Sequence, residues 1–145
     1  MMLLQYAPAE PEDIDAIYPM SKDLVASYED LTAIDYPKVA AWLYRKIQKN
    51  ISEYTCVWQD GKKVAYYHLE SKDGQTELDD FYVLPKFRGR GIGTQILEKC
   101  CREAPNPIYL YVFTQNTGAI SLYQRCGFAV TQQVSPTRII MTRPT

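Results

Sequence analysis

Apolar positions follow two rhythms along the chain, and the change comes near residue 54. After "PAEPED", Ile14, Ile17, Leu24, Val25 and Tyr28 recur at helical steps, with Pro11 and acids where a first turn favours them. Pro19 falls inside that stretch and predicts a kink or a split. "EDLTAIDYP" interrupts the pattern. A second helix follows, with Asp35 or Tyr36 near its cap and Val39, Leu43, Ile47 and Ile51 along one face. Ahead of both helices, Leu3 to Tyr6 reads as a short first strand.

From Tyr54 the period becomes that of strands. "YTCVWQ" and "KKVAYYHLE" are divided by Asp60-Gly61, and "SKDG" precedes "QTELDDFYVL", which predicts a three-stranded antiparallel meander. Pro85 stops the last of these strands. A glycine-rich stretch leads into a helix marked by Ile92, Ile96, Leu97 and Cys100, "APNP" ends it, and "IYLYVF" is a strand again. Strand, helix and strand in so short a span make a βαβ unit, so strands 76–84 and 108–113 should run parallel with a right-handed crossover. A short helix from Thr117 to Cys126 closes at Gly127. Phe128 to Val134 and Arg138 to Thr142 fit a terminal hairpin.

Composition narrows this picture without redirecting it. The chain has 145 residues, 46% of them apolar, and shows no repeat, linker or low-complexity tract, so a single domain over 1–145 is expected, burying about two-thirds of its unfolded surface. Sixteen basic residues against seventeen acidic ones give no global field for nucleic acid or an anionic membrane, so any anion site must be local. Cys56, Cys100, Cys101 and Cys126 follow no metal-ligand spacing, and no metal is expected. Met1 to Leu4 is too short for a signal segment and no run reaches the length of a membrane span; a cytoplasmic protein is the expectation.

One candidate for that local site stands out. In "RGRGIGT", Gly89, Gly91 and Gly93 clear side chains from the start of a helix, whose free N–H groups attract anions, while Lys86, Arg88 and Arg90 add positive charge. A phosphate or pyrophosphate ligand is implied. The spacing matches neither the GxxxxGK[ST] loop nor the GxGxxG of dinucleotide folds, and the acid expected further on is replaced by Leu110 in an apolar strand.

With its context "VLPKFRGRGIG", the stretch resembles the coenzyme A pyrophosphate loop of the GNAT family of N-acetyltransferases. The second block, "NTGAISLYQRCGF", is similar to the family pattern at Asn116, Ala119, Tyr123, Gly127 and Phe128, and the order of elements is the family order over nearly the whole chain. The resemblance implies an α/β (α+β) fold: a mixed, mostly antiparallel sheet of six to seven strands with a splayed parallel pair and about four helices. It implies acetyl-CoA as cosubstrate, held by the backbone of Phe81, Tyr82 and Val83, by Arg88, Gly89, Arg90, Gly91, Ile92, Gly93 and Thr94, and by Asn116 and Tyr123.

The implied activity is acetyl transfer to a primary amine of a small molecule or peptide by direct attack. An amine with a pKa of about 10.4 must lose a proton before attacking, the thioester oxygen needs an N–H donor, and the departing thiolate needs a proton. The family positions for the last two are the Val83 amide and Tyr123, although Tyr123 also suits packing on the sheet, and Asn116 also suits capping its helix. Glu77 is the candidate base; Asp79, Asp80, His68 or water are alternatives, and Tyr111 fills another family position without suiting the task. An acceptor pocket is implied near "YEDLTAIDYP", where Tyr28, Asp30, Asp35 and Tyr36, with Glu29, could draw a small amine or polyamine or simply cap and solvate a loop. Either a monomer or a homodimer fits. A non-catalytic coenzyme A sensor is the rival reading, and a nucleotide phosphotransferase a weaker one, since no carboxylate pair for Mg²⁺ stands by the loop.

Overall fold

A computed structural model describes residues 3–144; Met1, Met2 and Thr145, and with them the first half of the apolar run Met1 to Leu4, lie outside it. Seven strands form one sheet in the order β1-β2-β3-β4-β5-β7-β6, and four α-helices accompany them among the described residues. The strands are β1 (Gln5–Pro8), β2 (Tyr54–Gln59), β3 (Lys62–Lys72), β4 (Gln75–Val83), β5 (Ile108–Phe113), β6 (Ala129–Ser135) and β7 (Arg138–Arg143); the helices are α1 (Ile14–Tyr28), α2 (Tyr36–Asn50), α3 (Ile92–Glu103) and α4 (Thr117–Arg125). Contacts gather the chain into two compact units.

The first unit holds the chain up to His68 together with Asp80–Tyr82 of β4. β1 pairs antiparallel with β2 from Gln5↔Trp58 to Pro8↔Thr55, and β2 pairs antiparallel with β3. The expected first strand is displaced by two residues. Leu3 is 76% exposed, and the strand runs on to Pro8 because an edge strand tolerates a residue without an N–H. Pro19 does not split α1. It lies on the exposed side, where water can bond the carbonyl that its missing N–H leaves free. Asp35 caps α2, its carboxylate accepting from the Lys38 N–H at 3.3 Å. Ile17 and Ile47 are fully buried, with Tyr54, Val57, Val64 and Tyr66 of the sheet.

The second unit holds Leu69–Asp79 and residues 83–144. Asp73 and Gly74, both at positive φ, turn β3 into β4 as the sequence predicts. β4 and β5 run parallel, with Thr76 opposite Ile108 and Glu77 opposite Tyr109, and the Thr76 N–H bonds the Pro107 carbonyl at 2.9 Å. The terminal hairpin is inserted the other way round from its chain order: β7, carrying buried Ile139 and Met141, pairs antiparallel with β5, and β6 takes the edge. α3 buries Ile92, Ile96, Leu97 and Cys100, the face that the helical period marks.

Candidate active site

The glycine-rich loop follows directly from the end of β4. After Val83, a single turn at Pro85–Phe87 buries the Phe87 ring, and Arg88 folds back so that its Nε donates to the Val83 carbonyl at 2.9 Å. Arg88 thus orders the turn as well as charging it. Gly91 is the N-cap of α3 and stands at φ +80°, a left-handed conformation that costs a residue with a Cβ about 1–2 kcal/mol. No side chain caps this helix, so the first N–H groups of α3, beginning at Ile92, face outward beside a glycine that leaves open space around it. Arg90 lies 5.5 Å from the Phe87 ring centroid, which fixes its cation at the loop. The arrangement can hold a diphosphate.

Further along the same unit, α4 carries the second block. Asn116 caps it, its side chain accepting from the Ala119 N–H at 3.4 Å. Tyr123 is buried against Phe128, ring centroids 5.8 Å apart. Burial, with a smaller effect from Cys126, pushes the Tyr123 phenol well above the ordinary tyrosine range. Glu77 meets the Tyr109 hydroxyl at 3.5 Å. Burial first, then the Glu77 charge, raises the Tyr109 phenol. Tyr109 packs edge-on to Tyr111 at 6.2 Å.

In the first unit, Asp80 is the centre of a buried polar cluster. Although it lies in a strand, its φ is +47°, a conformation that aspartate adopts more readily than most residues. Its carboxylate accepts from Tyr54 at 2.5 Å, Tyr82 at 2.8 Å and Ser21 at 3.3 Å, and faces the Lys46 ammonium at 3.1 Å. His68 stacks on Tyr54 at 4.7 Å, and its Nε2 is buried without a hydrogen-bond partner among the described residues. Ser21, Lys46 and Tyr54 are residues that the sequence reading misses. They converge on Asp80 from α1, α2 and β2, and nothing local in the sequence marks them.

The loop between α1 and α2 uses its own acids. Asp30 accepts from the Thr32 N–H and hydroxyl at 3.0 and 2.6 Å, which holds its carboxyl below the usual range, and Glu29 accepts from the Asp30 N–H. Asp35 is the α2 cap already described, and Tyr28 and Tyr36 are half-buried beside the loop. Among the described residues no group of three or more His, Cys, Asp or Glu could hold a metal ion, and no helix is long and apolar enough to cross a membrane.

A left-handed glycine and an uncapped helix start that follow a strand suit a ligand that carries a diphosphate. The Acetyltransferase (GNAT) family model matches residues 17–128, and the chain belongs to that family. It is similar to the spermine/spermidine N(1)-acetyltransferase of Bacillus subtilis strain 168, 36% identical over an alignment 72 residues long that covers 43% of this chain and 44% of that one. It is also similar to the thialysine N-epsilon-acetyltransferase of Mus musculus, 41% identical over an alignment 54 residues long that covers 34% of this chain and 32% of that one. Both matches thus span less than half of those relatives' length. Among solved structures, the PaiA N-acetyltransferase from Thermoplasma acidophilum in complex with coenzyme A superposes with a TM-score of 0.74 over 99% of this chain and 100% of that one, at 17% identity, a likeness of fold.

Proposed function

We propose that the chain transfers the acetyl group of acetyl-CoA to a primary amine of a small molecule or peptide. The observation that carries this reading is Gly91: a left-handed N-cap, reached through the turn that follows β4, presents the first N–H groups of α3 in a loop that also carries Arg88 and Arg90, as a pyrophosphate requires. Bound acetyl-CoA supplies an activated thioester. The residues of loop 88–94 hold its diphosphate, and the backbone of Phe81, Tyr82 and Val83 offers strand-like hydrogen bonds to its pantetheine arm. The Val83 N–H donates to the thioester oxygen where negative charge develops. Glu77, already in contact with a phenol, accepts the proton that the amine must lose. Tyr123, whose phenol like that of any tyrosine is protonated at neutral pH, gives its proton to the sulfur as the C–S bond breaks and the amide forms. Asn116 serves as the α4 cap that keeps Tyr123 in place.

The relatives support an amine acceptor, since one is named for spermine and spermidine and the other for thialysine. Release of free thiol from acetyl-CoA across a panel of polyamines, amino acids, aminoglycosides and peptides tests the reading. Turnover on at least one class is expected. Tight acetyl-CoA binding with no thiol release on any of them would make the chain a coenzyme A sensor instead.

A further inference from the structure

A cation of the second unit is held by aromatic rings and, among the described residues, by no carboxylate. The Arg138 guanidinium, at the start of β7, lies 4.8 Å from the Tyr111 ring centroid and 5.8 Å from that of Phe113, two aromatics on the same face of β5. It is half-buried, and among the described residues no carboxylate pairs with it. Its backbone is fixed as well: Arg138 stands opposite Phe113 in the ladder, and the neighbouring Thr137 carbonyl accepts the Thr114 N–H at 2.8 Å. A guanidinium stacked on rings keeps its fork of N–H donors free at the edge, and that fork matches a carboxylate bidentately.

Two further features give the charge a direction. The chain has no Asp or Glu after Glu103, so the last 42 residues carry three arginines and no acid that could neutralise Arg138 locally. The aromatic row also continues from Tyr111 to Tyr109, whose hydroxyl meets Glu77, about 7 Å further along the strand. The row therefore has an acid at one end and a cation at the other. That is the complement of a zwitterion.

We infer that Arg138 reads a carboxylate on the acceptor, so that the preferred substrate is an amino acid and not a polyamine that lacks an anion. This rests on the acetyl-transfer reading and adds the anion to it. The acceptor's carboxylate takes the guanidinium fork, its apolar part lies on Tyr111 and Tyr109, and its amine is directed toward Glu77. A polyamine would set an extra ammonium against Arg138.

The test uses matched pairs that differ by the carboxylate alone and carry a terminal amine, lysine against 1,5-diaminopentane and ornithine against 1,4-diaminobutane, in the thiol-release assay with the whole chain. The amino acid of a pair is expected to have the higher kcat/KM. In Arg138→Gln the ratio within that pair should fall by about 10- to 100-fold through the acceptor KM, with the acetyl-CoA Kd unchanged. Arg138→Lys, which keeps the charge and loses the fork, should restore part of the ratio. Amines that match or outperform their amino acids, or a ratio that Arg138→Gln does not move, overturn the inference and leave acetyl transfer standing. A weakened acetyl-CoA Kd in Arg138→Gln also overturns it, since the arginine would then serve the donor. Binding of acetyl-CoA with no thiol release on either member of any pair overturns this inference, and only silence across the whole acceptor panel removes the transfer reading as well.

Discussion

Asp80 takes hydrogen bonds from Ser21, Tyr54 and Tyr82 and faces Lys46, whereas Arg138 rests on two aromatic rings and, among the described residues, meets no acid. Both are charges on strands and neither is fully in water. The fold satisfies the first completely from within, drawing on three other elements to do so. It orients the second and leaves its hydrogen-bonding edge unused. A charge needed for architecture is surrounded; a charge held rigidly and left open is available to a ligand. Loop 88–94 repeats the second arrangement, with the backbone donors of α3 exposed at an uncapped start.

The sharpest way to break this contrast is to remove the closed charge. Asp80→Ala should cost about 3 kcal/mol of stability by urea denaturation, the low end for stranding a buried partner, because the Lys46 side chain retains 17% exposure. Adding Lys46→Met should recover part of that loss, since the stranded charge is then gone. Arg138→Gln should cost less than about 1 kcal/mol, the range of a single cation–π contact. Equal losses at the two positions would erase the distinction.

Next in size is the buried tyrosine. Tyr123→Phe keeps the ring packed on Phe128 and deletes the proton, so kcat should fall about 100-fold with acetyl-CoA affinity little changed. An unchanged kcat would return Tyr123 to a packing role.

The smallest effect is a pH dependence of stability from a second cluster of the first unit, where the Asp13 carboxylate accepts from Lys63 and Tyr66, each at 2.8 Å. Burial, and then the Asp13 charge, pushes the Cys56 thiol up to about 11 from 9.0, and burial first also raises Tyr66, which donates to Asp13 at 2.8 Å. Burial alone would raise Asp13, but hydrogen bonds from Lys63, the Glu10 N–H and Tyr66 leave it lowered below 3.8. Above pH 9 the unfolded chain releases the Cys56 proton while the folded chain keeps it. The unfolded state then binds fewer protons and stability falls toward pH 11. Asp13 works in the opposite direction: its contribution is present above 3.8 and is lost as pH falls below it. A Tm profile should therefore decline at both ends, and Cys56→Ala should flatten the alkaline side.

What the sequence disclosed was what local chemistry dictates. The Asp60-Gly61 and Asp73-Gly74 turns, the span of β5 and the start of α3 need only neighbouring residues, and each was legible from them. β1 was misplaced because Leu3 and Leu4 are more apolar than the residues that actually pair, and Pro19 misled because its exposed position in α1 cannot be read from spacing alone. The cluster at Asp80 was hidden for a different reason. Its partners lie as far as 59 residues away, and their convergence is a product of packing. Arg138 had a visible signal, the acid-free C-terminal stretch, but what it rests on depends on β7 pairing with β5 ahead of β6.

The account depends most on loop 88–94 as a diphosphate anchor, and titration of the protein with acetyl-CoA and with S-acetylpantetheine, which lacks the diphosphate and nucleotide, measures that directly. Acetyl-CoA should bind at least about 100-fold more tightly, as expected for several charge-assisted hydrogen bonds, and Gly91→Val should remove most of the difference. Equal affinities for the two thioesters, or a Gly91→Val variant that keeps the full difference, would contradict it.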